Sequence, residues 1–552
     1  MITKTLGQLV TQALEKMSAE GVLSLNGSPE VVFERPKRRE HGDWATNVAL
    51  AAAKGQGNSR AIAEAIVERL PDNDIIDRAE VAGPGFLNFH LAPSWLHDVV
   101  RRATDLDSGF GRHRLGEGQS INVEYVSSNP TGPVNVVSGR HAAVGDSVSN
   151  LLEAVGYSVT REFYWNDMGR QIELFGASIA VRYLQHFGVE ADVPEDGYRG
   201  DYVIEIAQGI AREVGDKYTD ADPAERDRAM RELGMARMLE AARASLARFG
   251  TSFGTWTLES SLHSSGALEA GLDTLRRGGW AYEKDGALFF KSSELGDDKD
   301  RVLVRSNGQP TYFAADVAYV RNKFERGFDS LIYLWGADHH GSISRFMAVV
   351  EALGFERKRV EVEIVQMVSL LRAGEAVRAS KRAGVIVRLD ELVDEVGVDA
   401  ARYTFLTRSI EAPLEFDIEL AKEQAPENPV FYVQYAHARI CSILRRASDE
   451  GVETVVTDAP LELLSHTSED ALMRKLDSFE EVVLEAAERR APQRVARYVE
   501  ELSSVFSGFY RDCQVLTEDE RLTRARLALC VATKTVIADG LHLLGVSAPE
   551  RM

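Results

Sequence analysis

Cysteine is scarce. The 552 residues hold three, Cys441, Cys513 and Cys530, with no CxxC pair among them. That argues against a disulfide framework and a cysteine-based zinc site, and it fits a reducing cytoplasm. Long apolar runs are missing as well. No stretch approaches the ~18 apolar residues of a membrane span. The opening Met1-Ile-Thr-Lys-Thr-Leu-Gly-Gln has no signal-peptide core, so neither a membrane partner nor a secretory route is expected. Positive charge is in deficit: 64 Lys and Arg stand against 85 Asp and Glu, a net charge of −21. Such a chain is a poor generic binder of phosphate backbones. Global charge does not set local potential, however. Basic clusters occur at Lys37-Arg38-Arg39, at Arg445-Arg446, at Arg489-Arg490 with Arg494 and Arg497, and at Arg521, Arg524 and Arg526. The ordinary reading of such clusters is a solvated helix face. Internal repeats and low-complexity tracts are absent.

What is present is an ordinary globular composition, 44% hydrophobic and 27% charged, in a chain long enough for two to four domains. Residues 1–106 read as an α+β unit. Leu6, Val10, Leu14 and Met17 fall at helical spacing, strand-like Glu30-Val-Val-Phe-Glu-Arg-Pro follows, and Val81-Ala-Gly-Pro-Gly-Phe-Leu-Asn-Phe-His-Leu reads as a turn and an alternating strand. The polar stretch Asp107 to Gln119 is the expected linker. From Ser120 the pattern becomes βαβ. A strand is expected over Ser120 to Val126, a helix from about Gly139 to Val155, a strand over Tyr157 to Trp165, and further strands at Ser330 to Trp335 and Val362 to Leu371. Alternation of this kind predicts a multidomain α/β protein whose central domain, 107–425, is a Rossmann-like doubly wound parallel sheet. Residues 195–265 are polar and helical and read as an insertion. From 426 to 552 the chain predicts an all-α helical bundle.

In an open α/β sheet, ligands bind beyond the carboxyl ends of the strands. Ser127, Ser128 and Asn129 stand there, as do Asn166 and Asp167, and so does Gly336-Ala-Asp-His-His-Gly. Any single βα loop is rich in such residues for turn chemistry alone; several converging loops describe a crevice. Asn135-Val-Val-Ser138-Gly-Arg140 falls where a helix begins, a setting suited to phosphate, although Ser138 is explained equally by an N-cap role. Tyr312 and Asp316 lie four apart, on one helix face.

Two stretches add a resemblance. Val123 to Arg140 reads Val-Glu-Tyr-Val-Ser-Ser-Asn-Pro-Thr-Gly-Pro-Val-Asn-Val-Val-Ser-Gly-Arg, and Arg378-Ala379-Ser380-Lys381-Arg382-Ala383-Gly384 follows far downstream. The first resembles the strand–loop–helix signature of arginyl-tRNA synthetases, a class I family. The second resembles the loop that closes the same ATP site. The family carries Asn-Pro-x-x-Pro-x-His-x-Gly-His in the first stretch. Here Asn135 and Ser138 occupy the histidine positions and Val137 replaces the glycine. Asn and Ser still donate hydrogen bonds, but neither carries positive charge. Losing one preorganised donor can cost on the order of 10²–10³ in rate.

The resemblance implies a role for each matching position. Lys381 would stabilise the leaving pyrophosphate, with Arg378, Ser380, Arg140, Asn135 and Ser138 completing the catalytic set. Arginine would be held by Glu124, Tyr312 and Asp316 at its side chain, by Ser127 and Asn129 at its α-amino end, and by His339. Pro133, Val136, Gly139, Gly336, Asp338 and Val368 would hold ATP. His41-Gly-Asp-Trp-Ala-Thr-Asn resembles the N-terminal domain of the family, which binds the tRNA elbow. Asn428-Pro-Val-Phe-Tyr-Val-Gln-Tyr-Ala-His-Ala-Arg resembles its anticodon-binding helices, where Tyr435, Arg439 and Met552 would meet the tRNA. Tyr435 is equally explained as a core tyrosine. The implied reaction uses ATP with Mg²⁺ as substrate, L-arginine and the tRNA for arginine, with no protein-bound metal, in a cytoplasmic monomer. By family analogy the first step requires bound tRNA. Two rival readings stay open. One is a synthetase-like tRNA-binding protein with weak or no aminoacylation, favoured by the missing histidines. The other is a related class I enzyme such as the cysteinyl one, disfavoured by the lack of a zinc-binding cysteine set.

Overall fold

Strand β1, Ser120–Glu124, buries four of its five residues. It can do so because it lies in the middle of a five-stranded sheet in the computed structural model, which describes residues 2–24, 30–36, 38–53, 58–105, 109–377, 387–454, 456 and 458–552. The other strands are β2 (Ser158–Trp165), β3 (Thr255–Leu258), β4 (Ser330–Gly336) and β5 (Val360–Val365). Their order is β5-β4-β1-β2-β3 and every pairing is parallel. Helix α1, Val136–Ala154, connects β1 to β2. The order reverses beside β1, so the crevice of a doubly wound sheet opens between β1 and β4.

Three sequence expectations shift. The stretch 195–265 is not wholly an inserted helical unit, because its end supplies edge strand β3. Val362 to Leu371 is two strands. Beyond β5 the chain turns at Gln366 and Met367, whose backbone pairs with Ile410 and Leu414, and Val368–Arg372 (β6) joins a separate small sheet beside Leu414–Asp417. Helix α1 starts three residues before Gly139, because the Asn135 side chain caps it. Residues 106–108, which hold the expected first domain boundary, lie outside the described residues.

Helix α1 buries fifteen of its nineteen residues, as a helix with neighbours on all sides must. Small residues make this possible. A Cβ on Gly145 would lie 2.2 Å from Cγ of Tyr125, and one on Gly139 would lie 2.6 Å from Leu389. Tyr125 is itself wedged against Phe253, with ring centroids 4.6 Å apart. Gly145→Ala is therefore expected to destabilise the fold by about 1–3 kcal/mol, as overpacking does. Urea unfolding should show this as a lower midpoint at unchanged m-value.

The N-terminal unit packs helix Ile2–Ala19, through Leu6, Val10, Leu14 and Met17, on a four-stranded antiparallel sheet. One of its strands, Ile76–Ala82, was not evident from sequence. The unit docks on the C-terminal helices through polar contacts: Trp95 Nε1 donates to Asp477 (2.9 Å), Arg102 to Glu480 (3.1 Å) and Arg35 to Glu481 (3.0 Å). Arg402 fastens those helices to α1, donating to the Leu544 carbonyl at the end of helix Glu520–Leu543 (3.4 Å). Its fully buried guanidinium donates to Asp146 of α1 (2.5 Å), to the Phe249 carbonyl (3.0 Å) and to Thr251 (3.0 Å). Helix Tyr312–Glu325 (α2) covers the sheet near β1 and β4. Several basic clusters are spent internally: Arg490 pairs with Glu361, Arg494 with Glu485, Arg497 with Glu501 and Arg526 with Glu469. Lys37 lies outside the described residues.

Candidate functional site

The chain leaves β1 through Val126, a buried β-branched residue held at φ 71°. That conformation costs on the order of 1–3 kcal/mol and is typical of functional turns. It sends Ser127 to the mouth of the crevice. Ser127 Oγ donates to Glu124 Oε1 (2.9 Å) and accepts from the Tyr164 N–H (3.1 Å). The other oxygen of Glu124 is 2.6 Å from Lys323 Nζ of α2. Both oxygens are thus committed within the protein. Glu124, expected at the arginine side chain, is instead a fixed internal carboxylate, because a buried ammonium already neutralises it.

Two other carboxyls keep their charge capacity open. Asp316 on α2 is half-buried, and Glu259, directly after β3, is buried. Among the described residues neither has an ion-pair partner. Burial first, then the neighbouring Glu259, pushes the Asp316 carboxyl up to about 7. Burial likewise raises Glu259, to which Tyr164 Oη donates (3.0 Å). Asn166, in its hydrogen-bonded amide orientation, also donates to Glu259 (2.9 Å). Asp167 holds the start of the Glu259 helix through the Ser260 backbone (2.8 Å) and hydroxyl (2.6 Å). Tyr312, one turn before Asp316, is exposed and leans on Gly169, which has φ 90° and where a Cβ would lie 2.4 Å from the tyrosine oxygen. The pair of carboxyls with an aromatic wall is chemically a receptor for one planar cation. Sequence reasoning missed Glu259 because β3 was hidden in an apparent insertion. The available signal was a carboxylate at a strand's carboxyl end.

On the other side of β1, Asn135 Oδ1 accepts from the Ser138 N–H (2.9 Å). The N-cap is therefore Asn135, not Ser138. Arg140 does not face the crevice. Its guanidinium is fully buried and donates to the carbonyls of Gln366 (2.8 Å), Ser409 (3.0 Å) and Ala412 (2.9 Å). Burial lowers it to about 10. It ties α1 to the loop leading into β6 and is unavailable to phosphate in this arrangement. Val136 and Gly139 are likewise packed, Val136 in the core and Gly139 under Leu389.

Lys381, Arg378 and Ser380 lie outside the described residues, but both flanks are placed. Val377 continues from β6 (N–H to the Leu370 carbonyl, 2.9 Å). On the far side, Val136 donates to Val387 (3.3 Å) and Leu389 to Val134 (2.9 Å). The downstream flank, Val387 to Leu389, is thus bonded directly to the start of α1. Val368 sits half-buried in β6 and Pro133 half-buried before α1. Asn129 is exposed and donates to Gln171 (2.8 Å). Gly336 ends β4 across the crevice, and Asp338 and His339 follow it, both exposed and 3.7 Å apart.

A second concavity of about 850 Å³ lies among the C-terminal helices, lined by Tyr435, Arg439, Arg445, Tyr510 and Met552 among others. The Arg439 guanidinium lies 4.7 Å from the Tyr435 ring and 5.2 Å from the Tyr510 ring. Tyr435, Tyr510 and Met552 are exposed rather than core residues. Exposed rings flanking a guanidinium make a platform for a flat base. The chain's end is pinned there: Gln434 donates to the Ser547 carbonyl (2.9 Å) and Arg445 to that of Glu550 (3.1 Å).

Three family models match successive segments of the chain. Residues 105–408 match the model of the "tRNA synthetases class I (R), catalytic domain", residues 4–91 the "Arginyl tRNA synthetase N terminal domain", and residues 433–552 the "DALR anticodon binding domain". The arginine--tRNA ligase of Moorella thermoacetica is 47% identical over 552 residues, covering 100% of this chain and 99% of that one. The chain belongs to the arginyl-tRNA synthetase family. The arginine--tRNA ligase of Heliobacterium modesticaldum is 45% identical over 557 residues, again covering 100% and 99%. The Thermus thermophilus arginyl-tRNA synthetase structure superposes with a TM-score of 0.77 at 24% identity, over the full length of both chains, which establishes the shared fold. Among the described residues of this arginyl-tRNA synthetase family member, no helix is long and apolar enough to cross a membrane. No group of three or more His, Cys, Asp or Glu among them is arranged to hold a metal ion.

Proposed function

We propose that the chain ligates L-arginine to the terminal adenosine of the tRNA for arginine, in two steps. The arginine carboxylate attacks the α-phosphate of Mg·ATP, forming arginyl-adenylate and releasing pyrophosphate. The adenosine 2′-hydroxyl then takes the arginyl group and AMP leaves. Such transfers rest on positioning and electrostatics rather than on a protein nucleophile.

The observation that carries this reading is the Asp316–Glu259 pair. Two carboxyls without an ion-pair partner among the described residues, one pushed up to about 7 by burial and by the other, wait at the crevice for a cation. A guanidinium supplies planar donors matched to both. Tyr312 forms the wall of that pocket, and Ser127 and Asn129 meet the α-amino end. Gly336 and Asp338 border the nucleotide, with Pro133 and Val368 at its edges, and His339 borders the arginine. Asn135 Nδ2, Ser138 Oγ and the Val137 N–H of the first α1 turn supply the phosphate contacts made by histidine elsewhere in the family. Lys381, with Arg378 and Ser380, stabilises the charge on the leaving pyrophosphate. Tyr435, Arg439 and Met552 hold an anticodon base.

One chain carries the sheet, the carboxyl pocket and the base platform, which supports a monomer. Three free buried cysteines suit a cytoplasmic enzyme. The domains follow as 1–106, 107–425 and 426–552.

The test is charging of unfractionated tRNA with labelled arginine. Charging should be specific for arginine among the amino acids and should require ATP and Mg²⁺. Charging with a different amino acid would overturn the reading. Tyr435→Ala should separately weaken tRNA binding roughly 10- to 100-fold, the value of one stacked base. Filter binding would measure this, and the KM for ATP should not move.

A further inference from the structure

Lys323 is a fully buried ammonium next to the arginine pocket, and the reaction proposed above gives it nothing to do. Its Nζ contacts Glu124 Oε2 at 2.6 Å and lies over the faces of Tyr319 (4.5 Å) and Tyr333 (4.1 Å). Glu162, on the far side, is bound by Arg326 (2.8 Å), Tyr319 (2.7 Å), Thr257 (2.6 Å) and Asn122 (2.6 Å). A core that needed only volume here would use apolar residues, since a buried ion pair seldom gains stability over them. The pair therefore calls for another explanation.

That explanation lies in the direction of one hydrogen bond. A serine hydroxyl has one proton to donate and two lone pairs. Glu124 held as a carboxylate only accepts, so the Ser127 proton must point at Glu124 Oε1 (2.9 Å). One lone pair of Ser127 receives the Tyr164 N–H (3.1 Å). What remains for a ligand is one lone pair, a partner for an ammonium and not for a carboxylate. Tyr164 links the two ends of the pocket, because its hydroxyl is bonded to Glu259 (3.0 Å) and its ring packs on Tyr319 at 4.5 Å.

We propose that Lys323 is a positioning residue for arginine activation: by holding Glu124 as a carboxylate it fixes Ser127 Oγ as an acceptor for the α-ammonium of arginine, and leaves Asp316 and Glu259 to the guanidinium. The proposal rests on the reading of the carboxyl pocket given above.

The experiment compares Lys323→Met and Lys323→Arg in arginine-dependent ATP–pyrophosphate exchange with tRNA present. It uses arginine as substrate and 5-guanidinopentanoate, which lacks the α-amino group, as competitive inhibitor. Lys323→Met should raise the KM for arginine about tenfold, the scale of one hydrogen bond to a charged group. It should leave the inhibition constant of 5-guanidinopentanoate and the KM for ATP unchanged, and Lys323→Arg should restore the KM for arginine. A core role alone would lower thermal stability and weaken both guanidines together. Equal weakening of both, or of neither, overturns the proposal. If Lys323→Met does not fold, Glu124→Leu/Lys323→Met removes both charges and is read in the same way. It should show the same selective loss, and a wild-type KM for arginine would overturn the proposal. Asp316→Asn separates the two levels. It should weaken both guanidines; if it spares both, the pocket reading itself fails, whatever Lys323 does.

Discussion

Asp316→Asn should raise the KM for arginine about 100-fold, since it removes one charge-assisted, paired contact worth ~2–3 kcal/mol. The KM for ATP should stay within about twofold, because the lost interaction is with the amino acid only. The pH dependence follows from the same carboxyl. Burial and Glu259 raise Asp316 to about 7 in the empty site. A bound guanidinium needs the ionised form, so arginine binding expels a proton and the wild-type KM for arginine climbs as pH falls below about 7. The asparagine variant should lose that acid limb. Stability should move the opposite way. A carboxyl raised on folding contributes stability at low pH, and that contribution is lost as pH rises through the folded value. Ligand-free Asp316→Asn should therefore melt at a higher temperature than wild type at pH 8, with a smaller gain at pH 5. Scanning calorimetry at the two pH values would check this. A stabilising substitution that removes activity is the mark of a site built for a ligand rather than for the fold.

Lys381→Ala should lower charging by about 10³-fold, mostly in kcat. A cation on a departing phosphoryl group acts chiefly in the transition state, and removing such groups costs 10³-fold or more in related transfers. The structure sharpens the expectation. Arg140, the other cation of the first signature, is committed to four backbone carbonyls, and the histidine positions hold Asn135 and Ser138. The loop's far flank is hydrogen-bonded to the chain on either side of Asn135, through Val387 and Leu389. Lys381 is then the main positive charge the proposed site can bring to pyrophosphate. A single-turnover measurement with saturating arginine and ATP would separate this loss from any change in binding.

The parts of this protein that were legible beforehand have local causes. Helical spacing at Leu6, Val10, Leu14 and Met17 gave a helix whose buried face is those residues. Apolar stretches Ser120 to Val126 and Ser330 to Trp335 became neighbouring strands of one parallel sheet. What stayed hidden depends on partners distant in sequence. Edge strand β3 is four half-buried residues after a long helix, with no apolar run to announce it, and Glu259 was concealed with it. Glu124 and Arg140 looked like ligands because a charged residue in a motif suggests exposure. Their partners, Lys323 and the carbonyls of residues 366–412, lie 199 and up to 272 positions away. The N-cap fell on Asn135 rather than Ser138 because α1 starts earlier than its glycine suggested.

A first turn capped by Asn135, without the family's histidines, should still support adenylate formation. Arginine-dependent ATP–pyrophosphate exchange, run with and without tRNA, tests it most directly. The account predicts exchange that appears when tRNA is added and is lost in Lys381→Ala. Tight tRNA binding with no exchange under either condition would contradict it, and would make this chain a tRNA-binding relative of the synthetases.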